Sequence, residues 1–87
     1  MPLDGDIMIF EIVEVQTYSG TAADERPVSF FFNNKKIMIE DIVDRWYESG
    51  EKAGGPVYHY FKIHAPESQI FLLRHNVNRD VWSVLLF

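Results

Sequence analysis

Asn33-Asn34 stands between two short apolar runs, Val28 to Phe32 and Lys36 to Ile39, and nothing else in the chain limits its fold as much. A two-residue turn between twisted antiparallel strands needs positive φ at both positions, which asparagine tolerates better than most residues. The segment therefore reads as a β-hairpin. Period-two alternation places Val28, Phe30 and Phe32 on one face of the first strand, and Ile37 and Ile39 on one face of the return. Phe31 and Met38 point the other way, which calls for cover on both sides of the hairpin.

Other runs extend the β pattern. Ile7 to Val15 mixes Ile, Val and Phe with Glu11 and Glu14, and holds more β-branched residues than a helix prefers. Val57 to His64, Gln69 to His75 and Val81 to Phe87 read as three further strands, joined by Ala65-Pro66-Glu67-Ser68 and by Asn76-Val77-Asn78-Arg79-Asp80. The last run is nearly all apolar, as expected of a strand covered on both sides. Gln16 to Pro27 is polar and small and reads as the longest loop, while Gly54-Gly55-Pro56 breaks the chain before Val57. About six strands in series, joined by short turns, predict a mainly β domain. Its expected form is a small antiparallel meander curled into a half-open barrel, which closes most sheet edges.

Glu40 to Ser49 admits two readings. Ile39, Ile42, Val43 and Trp46 fall at i, i+3, i+4 and i+7, the stripe of an amphipathic helix that Gly50 would end. Alternatively the strand continues through a bulge at Glu40-Asp41, with Ile42 and Trp46 on one face and Asp44 between them. The short length and the β-branched pair favour the bulged strand over a short helix at 40–49.

Eighty-seven residues allow one core, so residues 1–87 are expected to be a single domain. Seven Phe, four Tyr and two Trp are many for that length, and each large ring needs about 150 to 250 Å² of cover. Some of that cover is expected from a partner. There is no cysteine, so neither a disulfide nor a thiolate zinc site can staple the fold. Residues 1–6 lack the features of a signal peptide and are expected to be disordered; no run approaches the roughly 18 apolar residues that span a bilayer. A cytoplasmic location and no membrane partner are the expectations. Thirteen acidic against eight basic residues give a net charge of −5, which repels duplex DNA and puts direct nucleic-acid binding at a disadvantage.

The run Phe30-Phe31-Phe32-Asn33-Asn34-Lys35-Lys36-Ile37-Met38-Ile39-Glu40-Asp41-Ile42-Val43-Asp44-Arg45-Trp46 resembles a family of short bacterial domains of unknown function, with the pattern F-x-W-x-G-R-x-Y-x-V-x-x-V-L-x-x-W. The likeness continues through Tyr60-Phe61-Lys62-Ile63 and Ile70-Phe71-Leu72-Leu73 to Trp82, covering about residues 10 to 87. Phe32 stands where the family has Trp, Asn34-Lys35 where it has Gly-Arg, and Ile37 where it has Tyr; all three keep packing or turn chemistry. Some members of that family are attached to Y-family DNA polymerase-like proteins or lie near repair genes. The resemblance therefore implies an accessory role in bacterial DNA repair, with no binding residue assigned.

Three histidines invite a metal or acid–base reading. His59 and His64 lie five apart, on opposite faces of one strand. His59 and His75 face each other if the intervening hairpin turns through five residues; with four, His59 meets Arg74 instead. Satisfied or surface histidines are the plainer reading, and no metal or other cofactor is expected. Glu40, Asp41, Asp44 and Glu48 form the densest acidic cluster, but no Gly-containing calcium loop accompanies them, so a solvated face is expected. Ser19, Ser29, Ser49, Ser68 and Ser83 lack a G-x-S-x-G context, and Gly54-Gly55-Pro56 lacks the following Lys and Ser or Thr of a phosphate loop. The chain is not expected to be an enzyme.

Binding residues remain. Tyr58, Tyr60 and Lys62 share one strand face, and Lys35 and Lys36 sit beside the hairpin turn. Bases stacked on the tyrosines with lysines near the phosphates would make a single-stranded nucleic-acid platform. The plainer reading has the tyrosines covering the outside of the sheet with their hydroxyls in water. The favoured expectation is a non-catalytic protein-interaction or scaffolding module with an unidentified protein partner. A homodimer is the simplest outlet for its surplus apolar surface.

Overall fold

The computed structural model of the chain describes residues 8–19, 25–49 and 54–86. Outside that set lie residues 1–7, of which 1–6 were expected to be disordered, 20–24 in the expected loop, 50–53 and 87. The fold is mainly β. Its strands are β1 (Ile9–Ile12), β2 (Val15–Ser19), β3 (Glu25–Phe32), β4 (Lys35–Met38), β5 (Asp41–Ser49), β6 (Val57–Ala65), β7 (Gln69–Asn76) and β8 (Val81–Leu86). They form two antiparallel sheets, one with five strands in the order β1-β8-β7-β6-β5 and one with three in the order β2-β3-β4. Among the described residues the one helical element is a 3-10 turn over Pro66–Ser68, and no helix is long and apolar enough to cross a membrane.

The Asn33-Asn34 turn forms as its chemistry requires, with φ of 53° and 63° and Phe32 paired to Lys35. Phe30, Phe32, Ile37 and Ile39 all turn toward the core, whereas Val28 is the residue skipped where the β2–β3 register jumps from Gln16–Ser29 to Thr17–Pro27. Phe31 and Met38, on the other side, are about half exposed. The cover expected on both sides of the hairpin is therefore present on one only, because the five-stranded sheet lies against a single face of the three-stranded one.

Two corners carry the chain between sheets. The Val13 amide donates to the Trp82 carbonyl in the large sheet at 3.0 Å, and the adjacent Glu14 carbonyl accepts from the Phe31 amide in the small sheet at 3.0 Å. At the second corner the Ile39 amide donates to the Val28 carbonyl and the Glu40 amide to the His64 carbonyl. Each bend thus satisfies its backbone groups on both sides. The expected single strand from Ile7 to Val15 is split at the first corner into β1 and the start of β2. The expected loop from Gln16 to Pro27 is also corrected, because both of its ends are strand: Thr17 pairs with Pro27 and Tyr18 with Arg26. The strands wrap as a half-open barrel would, but the barrel does not close.

Phe30 of the small sheet enters the core formed by Phe61, Ile63, Ala65, Leu73, Trp82 and Val84 of the large one. It meets Phe71 edge-on at 5.2 Å, and Phe32 meets the same ring at 6.0 Å. β8 lies between β1 and β7, with Trp82, Ser83 and Val84 buried, as its apolar run implied.

The segment from Asp41 to Ser49 is strand, and its bulge lies at Val43 rather than at Glu40-Asp41. Ile42 pairs with Ile63, and the next pair is Asp44 with Lys62, so Val43 is the extra residue. One extra residue reverses the alternation. Ile42 consequently packs toward the core, while Trp46 stands on the opposite face beside Tyr60, and the two do not share a face as expected.

Candidate functional site

The five-stranded sheet has an inner face, against which the small sheet packs, and an outer face. On the inner face Tyr47, His59, His75 and Trp82 stand directly opposite one another across β5, β6, β7 and β8. The hairpin after β6 turns through Pro66–Ser68 with Ala65 opposite Gln69, and this register brings His59 to His75 rather than to Arg74. The His59 ring lies 4.0 Å from that of Tyr47 and 4.1 Å from that of Phe61, and His75 stacks on Trp82 at 4.3 Å. His75 Nε2 also lies 2.8 Å from Asp80 Oδ1.

Burial, then the charge of Arg45, then His75, lower the pKa of His59 to about 4. Its imidazole is neutral at physiological pH and serves as a packed ring. His64 stands on the outer face, as the sequence alternation required. Among the described residues no group of three or more His, Asp or Glu side chains is placed to hold a metal ion.

The outer face is organised around Tyr60. Trp46, Tyr60, Arg74, Ser83 and Ile12 form one row across the sheet; Glu48, Tyr58, Asn76 and Val81 form the next. Trp46 stacks on Tyr60 with ring centres 5.3 Å apart and planes 6° from parallel. Tyr58 and Phe10 flank the same ring at 6.3 and 6.5 Å. The Arg74 guanidinium is sandwiched 3.8 Å from the Phe10 ring and 4.4 Å from the Tyr58 ring, a close cation–π pair.

Tyr60 is therefore buried, and its hydroxyl donates to Glu48 Oε1 at 2.8 Å instead of lying in water. Burial and that hydrogen bond to Glu48 raise its pKa, while Arg74 acts in the opposite direction. The accessible part of the face is its surround: Trp46 is 40% exposed, Ile12 73% and Ile70 48%. A cleft of about 240 Å³ opens beside Arg74, with Phe10, Ile12, Tyr58, Arg79 and Ser83 among its lining residues.

Of the residues singled out in the sequence, Tyr58, Tyr60 and Lys62 do share this face. Lys35 and Lys36 do not join them. They lie on β4 of the small sheet and line a different cleft with Phe32, Pro66, Glu67 and Phe71, at the end of β6 remote from Tyr58. Asp44 and Glu48 stand on the outer face on β5, Asp41 pairs with His64, Glu40 precedes it at the corner, and all four are exposed.

Trp46, Phe10 and Arg74 are the organising residues that sequence reasoning did not assign to the site. For Trp46 the signal was its place at the end of the run from Phe30. For Phe10 and Arg74 there was none, because β1 reaches β8 only through long-range pairing. No protein-family model, curated protein or solved structure matches the chain.

Proposed function

We propose that this chain is a non-catalytic protein-interaction module whose contact surface is the outer face of the five-stranded sheet. The observation that carries the reading is the asymmetry between the two faces. The small sheet covers the inner one over Phe61, Ile63, Leu73 and Val84 and leaves Tyr47 exposed at its β5 edge, whereas the outer one presents Trp46 on a buried Tyr60 with Arg74 held between two rings. Trp, Tyr and Arg in packed, partly desolvated settings are the residues that most often dominate binding energy at protein interfaces. Charge on this face is mixed, with Asp44 and Glu48 beside Lys62 and Arg74, which suits a protein surface better than a polyanion. The resemblance carried by the run from Phe30 to Trp46 suggests a cytoplasmic, repair-associated setting in a bacterium.

Comparative capture of native partners tests this reading. Proteins retained by the wild type and lost with a Trp46→Ala, Tyr58→Ala variant that keeps its fold support it; equal retention by both refutes it. A second reading, single-stranded nucleic-acid binding, is favoured by the accessible Trp46 ring and by Tyr58 with Lys62 and Arg74 on one face. It requires affinity for a short single strand that falls steeply with salt and is lost with Tyr58→Ala, Lys62→Ala. No binding at low salt removes it.

A further inference from the structure

Resting on the outer face as an interaction surface, we infer that its partner is a second copy of this chain, packed face to face about a two-fold axis parallel to the strands, with Glu48 of each copy meeting Arg79 of the other. Charge on the face is segregated along the sheet. Asp41, Asp44 and Glu48 belong to β5 at one end of the order β1-β8-β7-β6-β5, and Arg74 and Arg79 belong to β7 and the turn into β8. Lys62, the remaining cation on the face, stands directly opposite Asp44. Among the described residues the Arg79 guanidinium has no carboxylate partner within its own chain.

A two-fold axis parallel to the strands exchanges the ends of the sheet but preserves position along it. Run between β6 and β7, it lays β5 of one copy over β8 of the other and β6 over β7, so that Arg74 meets Tyr60 rather than its own copy. Glu48 lies in the row of Tyr58, Asn76 and Val81, and Arg79 lies in the turn between Asn76 and Val81, so the two arrive at the same level. Trp46 lies in the row of Arg74, Ser83 and Ile12, so its indole arrives over the cleft of about 240 Å³ that those residues line. The alternative axis, perpendicular to the strands, would set β5 on β5 and acid on acid.

The area is sufficient. Four strands of six to nine residues, about 4.8 Å apart and rising about 3.4 Å per residue, present roughly 500 Å² per face before side-chain relief is counted. Two such faces bury on the order of 1,000 Å² plus that relief, the lower end of what specific complexes use.

Sedimentation equilibrium of the full chain, over roughly 1 to 100 µM, tests the pairing. The expected result is a mass twice that of the 10.2 kDa chain. Glu48→Arg and Arg79→Glu each raise the dimer dissociation constant about tenfold or more, and an equimolar mixture of the two variants restores association, because each reversed charge then finds its opposite. Trp46→Ala weakens the dimer without electrostatic rescue. A wild type that is monomeric throughout, a dimer that neither reversal affects, or a mixture that stays dissociated overturns the proposal. A monomer whose Trp46 is still needed to capture other proteins removes the second copy alone; a monomer that captures nothing through Trp46 removes the surface as well.

Discussion

Acidification should weaken this fold through one residue, His59. The neutral imidazole is enclosed by Tyr47 and Phe61, with Arg45 and His75 nearby, and its pKa is lowered from 6.5 to about 4. The unfolded chain therefore binds more protons than the folded one between those values. Stability is constant above pH 6.5 as far as this group is concerned, and is lost as pH falls through the window toward 4. The full shift corresponds to about 3 kcal/mol, and solvent screening of the Arg45 and His75 contributions trims it to about 2 kcal/mol.

For a domain of this size a loss of about 2 kcal/mol lowers the melting temperature by roughly 8 to 16 °C. The assay is urea unfolding at a series of pH values for the wild type and for His59→Phe, which keeps a ring in the stack but cannot titrate. Subtracting the two profiles removes the carboxylates, which both proteins share. The difference should be flat above pH 6.5 and change by about 2 kcal/mol by pH 4. Parallel profiles through that window would mean that folding does not lower the His59 pKa.

Three further outcomes follow from the packing. Phe30→Ala empties a fully buried site between the sheets and should cost about 3 to 5 kcal/mol, most of the stability of so small a domain, visible as a collapse of the urea midpoint. Asn34→Ala forces a Cβ residue without a compensating side-chain amide to hold a φ of 63°, and should destabilise by about 1 kcal/mol in the same assay, whereas Asn34→Gly should change stability by less than about 0.5 kcal/mol. Trp46→Ala, on a side chain 40% exposed, should cost no more than about 1 to 1.5 kcal/mol and leave the near-ultraviolet signal of the buried Trp82 intact. A larger loss would make Trp46 a structural residue rather than a contact residue.

The three C-terminal strands and the Asn33-Asn34 hairpin were legible in the sequence because their signals are local. Alternation sets which way Phe30 and Ile37 face, and positive φ sets the turn. Glu40 to Ser49 was ambiguous for a physical reason. The bulge at Val43 inserts one residue, so apolar side chains four apart, Ile42 and Trp46, serve opposite faces of a strand with the spacing that a helix would use for one face. Most of β2 was read as loop because Gln16, Thr17 and Ser19 make it polar, although Val15, Thr17 and Tyr18 favour a strand once paired, as they are here with β3.

The site divides in the same way. Tyr58 and Tyr60 were visible as a shared face, but the burial of Tyr60 depends on Trp46, Phe10 and Arg74 from three other strands. Lys35 and Lys36 looked close to that face only because sequence carries no information about which sheet a hairpin joins. The tyrosine hydroxyl was expected in water because the bulge that turns Glu48 to the same face could not be placed.

The proposed function puts this protein's contact with its partner on the outer face of the five-stranded sheet. Hydroxyl-radical footprinting, read by mass spectrometry on the free and the associated protein, tests it most directly, since exposed aromatic side chains stand on both faces. Association should protect Trp46, Tyr58 and Ile12 while Tyr18 and Tyr47 remain as reactive as before. Protection of Tyr18 or Tyr47, with Trp46 unchanged, would contradict it.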